Sequence, residues 1–212
     1  MDTAFAFFDF DGTMCRGDSI LFCLRLAAKK RLLTAGDLGQ IIRSFLRYLF
    51  KKMSDEQMKT ICMAFWAKMS EQERRAFDEE LAQRLAGRVY KMAKEEMALC
   101  RLSHRKIVIV SASTENYMAL LGQKLGADAV LCTKVDEKGH VSGNCKGEEK
   151  VRRIEGFLRD TASLLDPDAS AAYGDSLSDQ PMLRLVSHPT MVNPKRGLRK
   201  AMPPHTARVL WR

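Results

Sequence analysis

Apolar residues fall into two kinds of run along the chain. Short, nearly unbroken blocks at residues 5–8, 106–110, 127–131, 169–173 and 190–192 read as strands buried on both faces, the pattern of a parallel sheet. Longer stretches with apolar residues at helical spacing separate most of them. This alternation predicts an α/β fold built on a doubly wound, mainly parallel sheet.

The first interval breaks the alternation. Between Thr13 and about Leu102 no strand is evident, while Ile41, Phe45, Leu46 and Leu49, then Ile61, Phe65 and Met69, recur with a helical period. Ser54-Asp55-Glu56-Gln57 and Ser70-Glu71-Gln72-Glu73 fit capping boxes, in which a hydroxyl caps a free amide and the side chain three residues on returns the bond. Four or five helices are therefore expected here, too many for one crossover connection. Residues 16–87 are read as an inserted helical cap domain, and residues 1–15 with 88–212 as the α/β core domain. Met53, Met58, Met63 and Met69 are assigned to the interior of the cap. Downstream, Asp136-Glu137-Lys138-Gly139-His140 predicts a turn between short antiparallel segments. Gly147 is expected to open a helix through Val151, Ile154 and Leu158, and residues 208–211 to close an edge.

Length and composition narrow the classes. With 212 residues the chain can bury one sizeable core plus a small insertion. The apolar runs fall well short of the roughly 20 residues that span a bilayer. The N-terminal run lacks a basic lead and carries carboxylates, unlike a signal peptide, so a cytoplasmic protein is expected. Cys15, Cys23, Cys62, Cys100, Cys132 and Cys145 form no CxxC pair and are read as reduced thiols. His104, His140, His188 and His205 lack metal-binding spacing. A formal charge of +9 suits an anionic partner without choosing one.

The chemistry gathers at strand ends, where open α/β sheets bind ligands. Asp9 and Asp11 follow the first predicted strand, Ser111 the second, and Asp175 and Asp179 the fourth. Two carboxylates in Asp-x-Asp spacing repel unless a cation intervenes, so one can attack and the other move protons only beside a metal. Mg²⁺, a hard ion that takes oxygen ligands and shares phosphate oxygens, fits this set, with Asp175 as a further carboxylate.

In order and spacing, "DFDGT" at 9–13, "VSAS" at 110–113, "GNCKGEEK" at 143–150 and "YGDSLSD" at 173–179 resemble the motifs of the haloacid dehalogenase superfamily of phosphohydrolases. The helical insertion resembles that of the branch containing phosphoserine phosphatase. The resemblance implies a Mg²⁺-dependent phosphomonoesterase in which Asp9 forms an aspartyl-phosphate and Asp11 serves as acid and then base. It further implies that Asp9, the Asp11 carbonyl, Asp175 and Asp179 serve the metal, and that Ser111 and Ala112 meet the phosphoryl group. A catalytic lysine is implied as well, with Lys146 and Lys150 both available. Four residues apart, they would share a face if both lay on a helix. By the same resemblance Asp18 would meet a substrate amino group; as a sequence feature it equally suits a helix N-cap.

A small, phosphoserine-like substrate is the first expectation. The basic residues Arg25, Lys29, Lys30, Arg31, Arg43, Arg47, Lys51 and Lys52 interleave with apolar ones. That pattern suits a solvated face, or an anionic membrane surface and a lipid phosphate substrate. A non-catalytic anion-binding or nucleic-acid-binding protein is the third alternative. No nucleic-acid motif supports it, and no nucleic-acid partner is expected.

Overall fold

The computed structural model describes residues 2–212. Its main sheet has seven strands in the order β5-β4-β3-β2-β7-β8-β9. These are β2 (Phe5–Phe8), β3 (Lys106–Thr114), β4 (Ala129–Val135), β5 (Val141–Ser142), β7 (Ala171–Gly174), β8 (His188–Val192) and β9 (Ala207–Val209). Every pairing is parallel except β4 with β5. A separate short pair joins β1 (Asp2–Thr3) to β6 (Leu164–Leu165). Central β2 lies between β3 and β7, so the chain winds away from it in both directions. A crevice therefore opens at its C-terminal end.

Alternation along the central strands divides the interior. Phe5, Phe7, Val108 and Val110 pack on one face, and Ala6, Phe8, Ile107 and Ile109 on the other. Phe8 stacks on Tyr173 of the neighbouring strand, with ring centroids 4.3 Å apart. Helices cover both faces, which explains why these strands read as unbroken apolar blocks.

Five helices connect β2 to β3: α1 (Ser19–Lys29), α2 (Ala35–Leu49), α3 (Asp55–Ala67), α4 (Glu71–Ala86) and α5 (Lys91–Leu102). Both expected capping boxes form, at Ser54 and Ser70, and a third forms at Thr34 with Asp37. Further along come α6 (Glu115–Leu125), α7 (Glu148–Asp160), α8 (Gln180–Leu183) and α9 (Arg196–Ala201). The turn at 136–140 closes as predicted, with Lys134 opposite Ser142. All six cysteines are buried and free.

Two expectations change, and the apolar side of α2 proves open. Strand β3 continues past Val110 to Thr114, and its register against β4 shifts between Ser111 and Thr114. The polar run Ser111-Ala112-Ser113 conceals this continuation from a pattern search, and the shift is a bulge that re-aims side chains. The apolar spacing in α2 marks no interior helix face: Ile42, Phe45, Leu46 and Leu49 are exposed. Of the methionines, Met63 is fully buried, whereas Met58 borders a cavity.

Asp78 of α4 is buried against Trp66 and Asn116, whose side chains donate to its carboxylate at 3.0 and 2.6 Å. Burial raises its pKa to about 6, against those hydrogen bonds. The folded state therefore holds the Asp78 proton more tightly than the unfolded chain does. Stability linked to this proton is present below about pH 4 and is lost as pH rises to about 6, amounting to roughly 3 kcal/mol. Asp78→Asn should remove this loss, so that its unfolding midpoint gains on the wild type between pH 4 and 7. An offset between the two proteins that stays constant across that range would contradict the assignment.

Candidate active site

The turn after β2 carries the sequence Asp9-Phe10-Asp11-Gly12-Thr13. Asp9 is buried, and its two oxygens take separate donors. Lys150 Nζ meets Oδ1 at 2.7 Å, and Thr13 Oγ1 donates to Oδ2 at 2.9 Å. Gly12, at φ +87°, permits the turn and brings the backbone against Asp175 so closely that a Cβ would overlap that carboxylate. Gly174 does the same beside Asp179, where a Cβ would lie 2.5 Å from the Asp179 Cβ. The two glycines thus allow carboxylates from two chain segments to crowd together.

Asp9, Asp175 and Asp179 are all buried and can each present an oxygen within 4.8 Å of the others. Lys150 is 1% exposed and bridges Asp9 and Asp179, 2.7 Å from each, while also donating to the Val110 carbonyl. Burial lowers the lysine's proton affinity, but Asp179 and Asp9 outweigh it and keep the ammonium charged. Asp179 is held below the usual carboxylate range: Lys150 and the hydrogen bonds from Ser176 overcome its burial. Asp9 is raised, by burial and then by the charge of Asp179. Burial also raises Asp175, against the pull of Lys195, whose ammonium lies 2.7 Å from Oδ2.

This donor set fits Mg²⁺: hard oxygens, a surplus of negative charge, and an ammonium already seated on Asp175. That ammonium belongs to Lys195, whose side chain is 66% exposed. The carboxylate of Asp11 lies outside the cluster. It accepts from Ser19 N at 2.8 Å, Ser19 Oγ at 2.8 Å and Ser113 Oγ at 2.6 Å. Burial, then the charge of Asp18, raises it to about 6, and the bonds from Ser113 and Ser19 partly offset this. It is therefore poised to exchange a proton near neutrality.

Ser111 is buried at the cavity wall and accepts from Ser113 N at 3.1 Å, which leaves its O–H to donate. Ala112 also lines the cavity, its carbonyl held by Lys59 Nζ and Thr133 Oγ1. Asp18 is the N-cap of α1, accepting from Ile20 N at 2.9 Å, and it borders the same cavity. The two candidate lysines separate. Gly147, at φ +61°, is the N-cap of α7, so Lys146 precedes the helix and shares no helical face with Lys150. Lys146 instead pairs with Asp55 at 2.7 Å near the surface.

Ser19, Lys59, Ser113, Tyr117 and Lys195 at the site were not singled out from sequence. Ser19, Ser113 and Tyr117 surround Asp11 in one hydrogen-bonded group. Ser113 lies within the quoted VSAS motif and Ser19 follows the candidate Asp18, so position was available as a signal for both. Lys59 of α3 bridges to Ala112 and Asn144 and carried no sequence signal beyond being one lysine among many.

Lys150→Met removes the buried cation between Asp9 and Asp179 and should cost about 3–5 kcal/mol of stability without added metal. Lys146→Met breaks a surface pair and should cost less than about 1 kcal/mol. Urea unfolding in EDTA compares them, and equal losses would contradict the distinction drawn between the two lysines.

Residues 6–184 match the family described as haloacid dehalogenase-like hydrolase. A probable phosphatase of Mycobacterium tuberculosis is 37% identical over 117 residues, covering 53% of this chain. The match spans 40% of that relative's length. A histidinol-phosphatase of Neisseria meningitidis serogroup C is 25% identical over 205 residues, covering 92% of each chain. The structure of a probable phosphoserine phosphatase of Vibrio cholerae superposes with a TM-score of 0.73 at 14% identity, covering 98% of this chain and 60% of that one. The last likeness establishes a common fold, and the match along residues 6–184 establishes descent: the chain belongs to the haloacid dehalogenase-like hydrolase family.

Proposed function

We propose that the chain is a Mg²⁺-dependent phosphomonoesterase acting through an aspartyl-phosphate on Asp9. The observation that carries this reading is the setting of Asp9, a buried carboxylate held by Lys150 and Thr13 at a cavity wall shared with Asp11 and Ser111. The relatives named as phosphatases support it.

A phosphate monoester entering the cavity places its phosphoryl group between Asp9, Ser111 and Lys150. A carboxylate oxygen of Asp9 attacks phosphorus, and the bond from phosphorus to the ester oxygen breaks. Asp11 gives its proton to the departing alcohol oxygen. The Asp11 carboxylate then takes a proton from a water as that water attacks the same phosphorus. The bond to Asp9 breaks, releasing inorganic phosphate and restoring both carboxyl groups. Ser111 donates a hydrogen bond to a phosphoryl oxygen, and the Lys150 ammonium held beside Asp9 offsets the charge that develops. Asp9, Asp175 and Asp179, with the backbone at Asp11, would hold Mg²⁺, which supplies charge neutralisation and polarises a phosphoryl oxygen when bound. In this reading helices α1–α4 act as the cap, and Lys59 and Asp55 of α3 tie it to Ala112 of β3 and to the loop at Asn144.

Asp9→Asn keeps the size and removes the nucleophile. Its phosphate release should fall at least about 10³-fold with folding retained; activity near that of the wild type would exclude Asp9 as the nucleophile. EDTA should abolish release from the wild type and Mg²⁺ restore it, whereas full turnover in EDTA would exclude the metal's role. The readout for both is colorimetric phosphate release from a panel of monoesters.

A further inference from the structure

The cavity beside Asp9 has a volume of about 540 Å³ and two kinds of lining. Polar and charged residues, among them Asp9, Asp11, Ser111 and Lys150, supply one. Leu21 and Leu24 of α1, Ile41, Ile42 and Phe45 of α2, and Met58 of α3 supply the other. A charged leaving group pressed against that apolar lining would lose hydration without regaining partners from it, whereas a hydrocarbon chain would gain by leaving water there.

The wall also continues to the outside. Ile42 is 62% exposed, Phe45 48% and Leu46 50%, although all three border the cavity. Leu38 and Leu49 extend this stripe along α2 at spacings of three and four residues. Arg43 and Arg47 are exposed on the same helix. Large apolar side chains left half in water at the mouth of a cavity mark the path of an apolar ligand.

We infer that the substrate is a phosphate monoester whose alcohol carries a hydrocarbon chain, with the chain lying against α1, α2 and α3 while the phosphate meets Asp9. This rests on the phosphomonoesterase reading for the phosphate end and adds the chemistry of the leaving group. The chain could be supplied by a lipid in a bilayer or by a free amphiphile in solution.

Binding of n-alkylphosphonates from methyl to decyl, measured by calorimetry with Mg²⁺ and below the concentration at which each forms micelles, tests the inference without requiring turnover. Affinity should rise about three- to fourfold per added methylene until the apolar lining is covered. Affinity independent of chain length would overturn the inference. The combined substitution Ile42→Ser, Phe45→Ser and Leu46→Ser should lower the decyl-to-methyl affinity ratio at least about tenfold, because these half-exposed side chains supply the contact. An unchanged ratio would overturn the placement of the chain. Alkyl phosphates that bind with this chain dependence and release no phosphate would refute the hydrolase reading while leaving the chain site standing. Lysophosphatidate in phosphatidylcholine vesicles, compared with monomeric decyl phosphate, separates the sources: faster release from vesicles assigns the bilayer, faster release from the monomer a soluble amphiphile.

Discussion

Three buried carboxylates within 4.8 Å of one another, with one buried ammonium between two of them, set the terms for the rest of the molecule. Such a cluster is unfavourable in isolation, since each buried charge loses hydration and repels its neighbours. It persists because the fold surrounds it with compensations. Lys150 reaches in from α7, Lys195 covers Asp175, and the Ser176 amide and hydroxyl fasten Asp179. Glycines at 12 and 174 remove the side-chain bulk that would hold the segments apart. The order of the sheet does the assembling, because β2 and β7 are neighbours and both end at the same rim. A divalent cation is the group that would complete this charge balance.

Much of this was legible in the sequence. Strand blocks at 5–8 and 106–110 stood out because both faces are covered, leaving no polar alternation to blur them. The sequence places Asp9, Asp11, Ser111, Asp175 and Asp179 on one rim because strand ends in a doubly wound sheet converge there; the structure brings the first four to one cavity and sets Asp179 behind it, against Lys150. The continuation of β3 through a polar bulge was not legible, since its pairing with β4 depends on the backbone and not on side-chain pattern. Lys146 and Lys150 could not be separated by spacing alone. The glycine between them ends any shared helical face, and only the three-dimensional path shows which amine is buried. Lys59 and Lys195 were out of reach for a related reason: their partners are remote in sequence.

The apolar face of α2 carries the further lesson. Its period predicts a helix with an apolar side, and the helix forms, with much of that side open toward the cavity and solvent. Periodicity reports that a helix has an apolar side; it does not say whether protein or ligand covers it. In this chain the acidic lining of the cavity and the apolar stripe lie on elements separated in sequence but joined in space. In the proposed reading the division of labour is physical: charge and hydrogen bonds would address the phosphate, and apolar area the group the phosphate is attached to.

The central claim is that Asp9 becomes phosphorylated during turnover. Quenching the enzyme with borohydride while it hydrolyses a monoester would reduce an aspartyl-phosphate to homoserine, which peptide mass mapping locates. The account predicts homoserine at position 9, formed only with Mg²⁺ and substrate present and absent from the Asp9→Asn protein. Continued phosphate release with no homoserine at position 9, or with homoserine at another aspartate, would contradict it.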